Sequence, residues 1–304
     1  MAPKLGINYI RYHSRLPLLS TVTGDATAVA ATTEFAVAQQ AAGLVGPYLS
    51  QGLEMDAARA AARTTAEALT LSHYTNAAGY RAEYPENLQA VGATFSIVSL
   101  RTGTLLTAEI TRHMRVPYQL SLGTLLEAAR SPVAFDPDIG TTPLGEFGAD
   151  AVITGYRRGD RTQLAVGLTR AVSGRLGADL LLVSANVGWV RAYGIDHAEG
   201  VGLQADDWSG DSWGAQLVLA ATYNSLIGGI NLTPRVAYAR DIEGATPAPT
   251  ATFLEGRSTL VWGLTVEYLQ NYEIDVSYIA FSGGGSANQI RDRDQLQLRA
   301  SVYF

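Results

Sequence analysis

Residues able to do chemistry are few in this chain, and they are scattered. The four histidines, His13, His73, His113 and His197, show no spacing that would close on a metal ion. His13-Ser14 and Ser72-His73 set a hydroxyl beside an imidazole, the ingredients of a serine nucleophile and its base. Adjacent side chains on a strand point to opposite faces, and no G-x-S-x-G elbow is present, so no catalytic residue is assigned. A membrane-embedded esterase is therefore the weakest of three functional readings. Asp206, Asp207 and Asp211 gather three carboxylates around a glycine. Hard oxygen ligands of this kind suit Ca²⁺. The spacing departs from the twelve-residue calcium loop, and an acidic solvated loop accounts for it better. Beyond that calcium candidate and bound lipid or detergent, no cofactor is expected.

The elements that would position these groups are strands. In Arg293–Phe304, Leu296, Leu298, Ala300, Val302 and Phe304 fall on one face and Gln295, Gln297, Arg299, Ser301 and Tyr303 on the other. The same period of two returns from Asp150 onward. Leu164, Val166 and Leu168 oppose Gln163, Gly167 and Thr169, and Leu260, Trp262, Leu264, Val266 and Tyr268 oppose Thr259, Thr265 and Glu267. Each stretch reaches the roughly 9–11 residues that a tilted membrane strand needs. With lipid outside and water inside, such strands form an antiparallel outer-membrane β-barrel, here all-β with a helical insertion. A chain ending on an aromatic carboxyl-terminal residue resembles the assembly signal of bacterial outer-membrane proteins, and Phe304 supplies it. The edge strand of a soluble sandwich is the other reading of that segment.

Composition agrees. Of 304 residues, 16% are charged and 47% apolar, with 31 glycines, 15 tyrosines and a mean hydropathy of +0.07. Alternating faces cancel in such an average, and no run approaches the roughly 18 apolar residues of a membrane-spanning helix. Cysteine is absent, which excludes disulfides and thiolate metal sites. A net charge of −6 offers no basic surface to nucleic acid. Met1-Ala-Pro-Lys-Leu-Gly6 opens into a strand pattern with no signal-peptide core before it.

Counting strands backwards from Phe304, with that end in the periplasm, places short connections (Leu269–Asn271, Ile227–Gly229, Ser173–Gly177) on the periplasmic side. Long ones (Gly283–Asp292, Asp241–Gly256, Val190–Asp211) fall outside, as in outer-membrane barrels. In the amino-terminal half, Lys4–His13 reads as a strand, and Val91–Leu100 with Thr104–Arg112 as a hairpin. Gln39–Leu44 and Met55–Leu71 read as helices within an Ala-rich stretch, broken at Gly46-Pro47 and Gly52, and Leu120–Arg130 reads as another helix. The organisation expected is one barrel over 1–304, a helical insertion over 20–78 and a helix-loop insertion over 114–148. The insertion over 20–78 is a plug, a periplasmic docking surface or a solvated linker, and the same count puts both insertions on the periplasmic side. The strand count is eleven, or twelve if Tyr80–Tyr84 pairs separately. An odd count suggests strands supplied by another chain or by a preceding half.

Several segments resemble a family of large proteobacterial outer-membrane proteins, domain-of-unknown-function family 1302. They are Tyr9-Ile-Arg-Tyr-His-Ser-Arg-Leu-Pro17, Tyr84-Pro-Glu-Asn87, Val91-Gly-Ala-Thr-Phe95, Phe253-Leu-Glu-Gly-Arg257, Asp275-Val-Ser-Tyr278, Phe281-Ser-Gly-Gly-Gly285 and Asp292-Arg-Asp294. The resemblance covers nearly all of this chain and the carboxyl-terminal half of such proteins. It implies a bacterial outer-membrane barrel working with a periplasmic carrier and an inner-membrane exporter, and moving hydrophobic molecules. It brings no catalytic residues with it.

The leading expectation is therefore transport of hydrophobic or lipid-like molecules across the outer membrane, in contact with its lipids. A structural barrel that anchors loops or docks an envelope partner is the second. Charge candidates for the lumen or rim are Arg11, Arg15, Tyr84, Glu86, Arg257, Glu267, Asp275, Asp292 and Arg293, for solute contact or for salt bridges that hold strands together. Trp189, Trp213, Trp262, Tyr238, Tyr268 and Tyr278 are expected in the aromatic girdles at the membrane interfaces.

Overall fold

The computed structural model describes residues 2–135, 142–195, 202–203, 208–250 and 252–304. In chain order its elements are β1 (Lys4–Tyr12), β2 (Leu18–Val22), α1 (Ala26–Ala31), α2 (Glu34–Ser50), α3 (Met55–Ala77), β3 (Gly79–Glu83), β4 (Leu88–Val98), β5 (Leu105–Gln119) and α4 (Leu122–Ala129). Then follow β6 (Val152–Ile153), β7 (Tyr156–Arg175), β8 (Ala178–Tyr193), β9 (Asp211–Ile227), β10 (Ile230–Glu243), β11 (Ser258–Tyr268), β12 (Tyr272–Ser282) and β13 (Gln295–Val302). Among the described residues no helix is long and apolar enough to cross a membrane.

Among the described residues, ten strands form one antiparallel sheet in the order β1-β4-β5-β7-β8-β9-β10-β11-β12-β13. Residues opposite each other in an antiparallel pair share a face, so the register decides which side chains lie together. Leu298 pairs with Val276, Val276 with Leu264, Leu264 with Pro234, and Val236 with Leu219. The row continues through Val183 to Arg170 and, two same-face positions along, from Val187 through Val166 and Ala108 to Phe95 and Leu5. The apolar alternation of the individual strands thus merges into one apolar face across the whole sheet. Its side chains are largely exposed: Leu264 is 40% accessible, Leu298 74% and Ile7 77%. The opposite face carries Asn8, Thr94, Thr107, Gln163, Asn186, Gln216, Arg235, Thr265, Asp275 and Arg299. The sheet is open, because β1 and β13 each have a neighbour on one side only.

Two expectations from the strand count are corrected. Ten strands cross the large sheet, an even number; the segment at Tyr80 does pair separately, as β3, but in a second sheet with the order β3-β2-β6. Even parity reverses the sense of β1 relative to an odd count, so β1 and β13 run antiparallel. Tyr12 lies at the same end as Leu88, Met114 and Tyr156, and that end also holds Tyr193 and Asp211. Both insertions therefore leave from the long-loop end, opposite the short turns, and not from the short-turn side.

The insertions build a cap at that end. Its core joins Val116 and Tyr118 of β5 and Ala192 of β8 to Leu125, Ala128 and Ala129 of α4, with Ile153 of β6. Glycine is required at Gly155, where a Cβ would run into the Leu19 carbonyl. In α3, Ala58, Ala62, Ala66, Thr70 and Tyr74 recur at every fourth position and form the buried stripe. Alanine there lets α2 approach closely, with Val37 and Ala41 opposite. Thr33 caps α2, its hydroxyl accepting from the Ala36 amide at 3.3 Å. The Tyr74 hydroxyl donates to the Ala129 carbonyl at 2.7 Å and accepts from the Gly24 amide at 3.1 Å, which ties α3 to α4. Contrary to expectation, α2 runs through Gly46-Pro47 and breaks only at Gly52, whose φ is 89°. Pro47 lies inside the helix three residues before its end, so its ring removes one backbone N–H from the ladder without ending the helix.

Candidate functional site

The polar face of the large sheet is the candidate site, and glycines shape it. Asn8 lies over Gly92, where its Oδ1 would be 2.7 Å from an added Cβ, and Thr107 and Asn186 lie over Gly167 at 2.7 Å each. Polar side chains therefore fold flat onto their neighbours' backbone and keep the face open. A groove of about 520 Å³ results along β1, β4, β5, β7 and β8, with Lys4, Thr94, Thr107, Glu109 and Asn186 on its walls.

At the other side of the sheet, Arg235 crosses Gly263 and reaches Asp275, with Nη1–Oδ2 at 2.5 Å and Nη2–Oδ1 at 2.8 Å. Thr265 donates to the same carboxylate at 2.7 Å. Arg299 stands opposite Asp275 across the β12–β13 ladder, so alternating charges run from β10 to the open edge.

The element that folds onto the polar face is a loop between β10 and β11. Its Phe253 ring rests on Gly188 and Gly214, which face each other across β8 and β9; added Cβ atoms would meet the ring at 3.0 and 2.9 Å. A recess of about 220 Å³ remains between Phe253, Thr252 and the β5–β7–β8 wall of Glu109, Thr111, Gln163 and Val190. The helices α2 and α3, expected as a plug, a docking surface or a linker, pack chiefly on each other.

Toward the cap, Tyr12 Oη meets His113 Nδ1 at 3.0 Å and Gln163 meets His113 Nε2 at 3.0 Å. Arg161 lies across from His113 and is only 9% exposed. Its Nε is buried without a hydrogen-bond partner, and no ion pair to its guanidinium forms among the described residues.

The sequence-expected charges disperse. Asp275 and Glu267 lie on the polar face, Glu267 accepting from Asn231 at 3.5 Å. Arg257 belongs to the infolded loop, pairing with Asp241 at 2.7 Å and donating to the Thr252 carbonyl at 2.8 Å. Arg11 sits on the apolar face at the strand end and donates to Asn87 at 3.1 Å from Nε. Glu86 lies 3.9 Å from His13, and its carbonyl accepts from Arg158. Arg15, Tyr84, Asp292 and Arg293 are exposed in connections. Asp294, unsuspected from sequence, holds the loop end by accepting from Tyr278 Oη at 2.5 Å and the Phe281 amide at 3.0 Å. These donors keep its carboxyl below the usual range, the Tyr278 hydroxyl first.

The aromatic residues fall in two rows on the apolar face. Trp189 pairs with Trp213 and Trp262 with Tyr278 toward the long-loop end, where Tyr238 also lies. Tyr268 stacks on Tyr272 at the short-turn end, with centroids 6.4 Å apart. Phe304 is fully exposed beyond β13. Of the calcium candidates, Asp206 and Asp207 lie outside the described residues, as does His197; Asp211 begins β9. Among the described residues, no three His, Cys, Asp or Glu side chains gather as a metal site.

A family model described as "Protein of unknown function (DUF1302)" matches residues 3–304. No curated protein and no solved structure matches the chain.

Proposed function

From a chain that belongs to the DUF1302 family over residues 3–304, we propose part of the wall of a bacterial outer-membrane β-barrel that passes amphipathic or lipid-like molecules. The single observation that carries this reading is the pair of faces. One is apolar from Leu5 to Leu298 and exposed; the other is polar, grooved and set with Arg235, Asp275 and Arg299. Lipid satisfies the first and water the second. The two aromatic rows suit the two interfaces of a bilayer.

An open edge in hydrocarbon would leave backbone donors and acceptors unpaired, at several kcal/mol each. The edges β1 and β13 are accordingly closed by further strands, from a second chain or from a preceding half. Because β1 and β13 are antiparallel, an antiparallel ring closes here with an even number of added strands. With the short turns in the periplasm, as in other barrels, the cap stands on the outer side. A periplasmic carrier would then meet the short-turn end, and an inner-membrane exporter would supply the energy.

The test is reconstitution of the complex purified from membranes into vesicles, with a cationic alkyl-chain fluorophore loaded inside. Release above that of protein-free vesicles is expected; tight vesicles with correctly inserted protein would overturn the passage.

A second reading, a barrel that anchors a docking module, is favoured by the cap itself. Its buried core fastens it to β5 and β8, leaving α2 and α3 projecting. Capture of an envelope protein by the whole complex, lost when Phe35 and Leu49 on the outer side of α2 become serine, would support it.

A further inference from the structure

The loop between β10 and β11 is built to stay where it lies. The Gly244 amide donates to Glu255 at 3.0 Å and the Leu254 amide to Asp241 at 2.9 Å, while Arg257 holds the same carboxylate. Inside the loop, the Thr246 amide donates to the Phe253 carbonyl at 2.9 Å and the Phe253 amide to the Thr246 hydroxyl at 3.1 Å. That hydroxyl also meets Ser212 Oγ at 2.9 Å, and Thr246 is 2% exposed. At its far side the Ala248 carbonyl accepts from the Gln119 amide at 3.2 Å. Phe253 thus has a fixed position over the polar face, and the glycines Gly188 and Gly214 leave it the space.

Beside the ring lies the 220 Å³ recess, comparable to a cavity that holds a single aromatic ring. Glu109 is the one charged residue on its wall, and no cation pairs with it among the described residues. Thr111 donates to it at 3.1 Å, and Gln163 adds an amide. An apolar surface thus faces a carboxylate across a space of one ring.

We propose that Phe253 and Glu109 form the solute contact point of the passage, taking a molecule with a ring-sized apolar body and a cationic or hydrogen-bond-donating end. This rests on the passage reading above. The ring gives the apolar body a face to stack on, and a carboxylate accepts from an ammonium or hydroxyl but repels a second carboxylate. The contact point also narrows the polar face, so Phe253 limits the size of what crosses.

The experiment uses the complex purified from membranes, in planar bilayers, with benzylammonium, benzyl alcohol and benzoate as probes. Benzylammonium should block current at a concentration about tenfold below benzoate, the step expected for one charge-assisted hydrogen bond. Glu109→Gln should remove that preference and spare the weaker block by benzyl alcohol. Phe253→Ala should raise open conductance and weaken block by all three, whereas Phe253→Leu, which keeps apolar bulk and guards against misfolding, should lie between. Equal block by benzoate and benzylammonium, or a preference that survives Glu109→Gln, would overturn the contact point. Titration calorimetry with benzylammonium on the same complex in detergent separates the two claims. Binding that needs Glu109 without any current would remove the passage reading and keep the site; current without such binding would remove the site alone.

Discussion

The guanidinium of Arg235 reaches the carboxylate of Asp275 across an intervening strand, and it does so over Gly263. In register, Gly263 faces Arg235 on one side and Ser277 on the other, so no side chain obstructs the path. The two-point contact fixes both side chains, and Thr265 bridges them by accepting from Arg235 at 2.9 Å and donating to Asp275. Three strands are thereby held in one register by a single glycine.

Gly263→Ala should break this contact. The new Cβ would stand 2.5 Å from Arg235 Cζ, and moving the arginine leaves Asp275 without its main partner. Both groups are partly solvated, so the loss is about 1–3 kcal/mol, between a surface pair and a buried one. Urea unfolding in detergent micelles would read it, and the double variant Gly263→Ala/Asp275→Asn should cost little more than either change alone.

Arg161 offers the opposite case. A buried guanidinium whose Nε has no partner among the described residues costs stability, so Arg161→Met, which keeps its length, should leave the protein as stable or raise stability by about 1–3 kcal/mol. The thermal midpoint is the readout. A clear drop would mean that the guanidinium binds something in the intact complex.

The helical cap should be acid-sensitive. Arg63 donates to both oxygens of Glu34 at 2.5 and 2.7 Å and also to Glu67, and its hydrogen bond lowers the Glu34 pKa. A carboxylate whose folded pKa is depressed stabilises above its unfolded value, near 4.5, and loses that contribution as pH falls through the folded value. Proteolysis between α2 and α3 should therefore speed up below that range. In Glu34→Gln it should be faster at neutral pH and show a smaller rise on acidification.

Gly155→Ala should loosen the cap without opening the sheet. Its Cβ would collide with the Leu19 backbone, which cannot shift without parting β2 from the core around Leu125. A loss of about 3 kcal/mol or more is expected, in the range of severe core strain. Hydrogen exchange would then show faster amides in β2 and β6 and unchanged amides in β10 to β12.

Period-two alternation makes the long strands legible in the sequence, from Leu164 to Val302, because each rung repeats the same choice of face. Loop lengths also separated a short-turn end of the sheet from a long-loop end. Parity was not legible: alternation shows that a segment is a strand but not which sheet it joins, and one miscounted strand sends both insertions to the wrong end. Phe253 was hidden for another reason. Its partners are glycines, Gly188 and Gly214, and a glycine in a strand does not announce what lies over it. Asp275 was visible as a charge for the lumen or rim, but its meeting with Arg235 depends on register and on Gly263. Asp294 stood in a loop among Asp292 and Arg293, with nothing in sequence to mark it as the one that binds Tyr278.

The central claim is that one face of the sheet meets lipid and the other water. The chain has no cysteine, so single cysteines at Ser184, Ala185, Asn186 and Val187 in β8 can be labelled with a charged maleimide in isolated outer membranes. Labelling at positions 184 and 186 with protection at 185 and 187 is the expected result, since Ser184 and Asn186 share the polar face and Ala185 and Val187 the apolar one. Equal labelling at all four would place both faces in water and contradict the membrane reading outright.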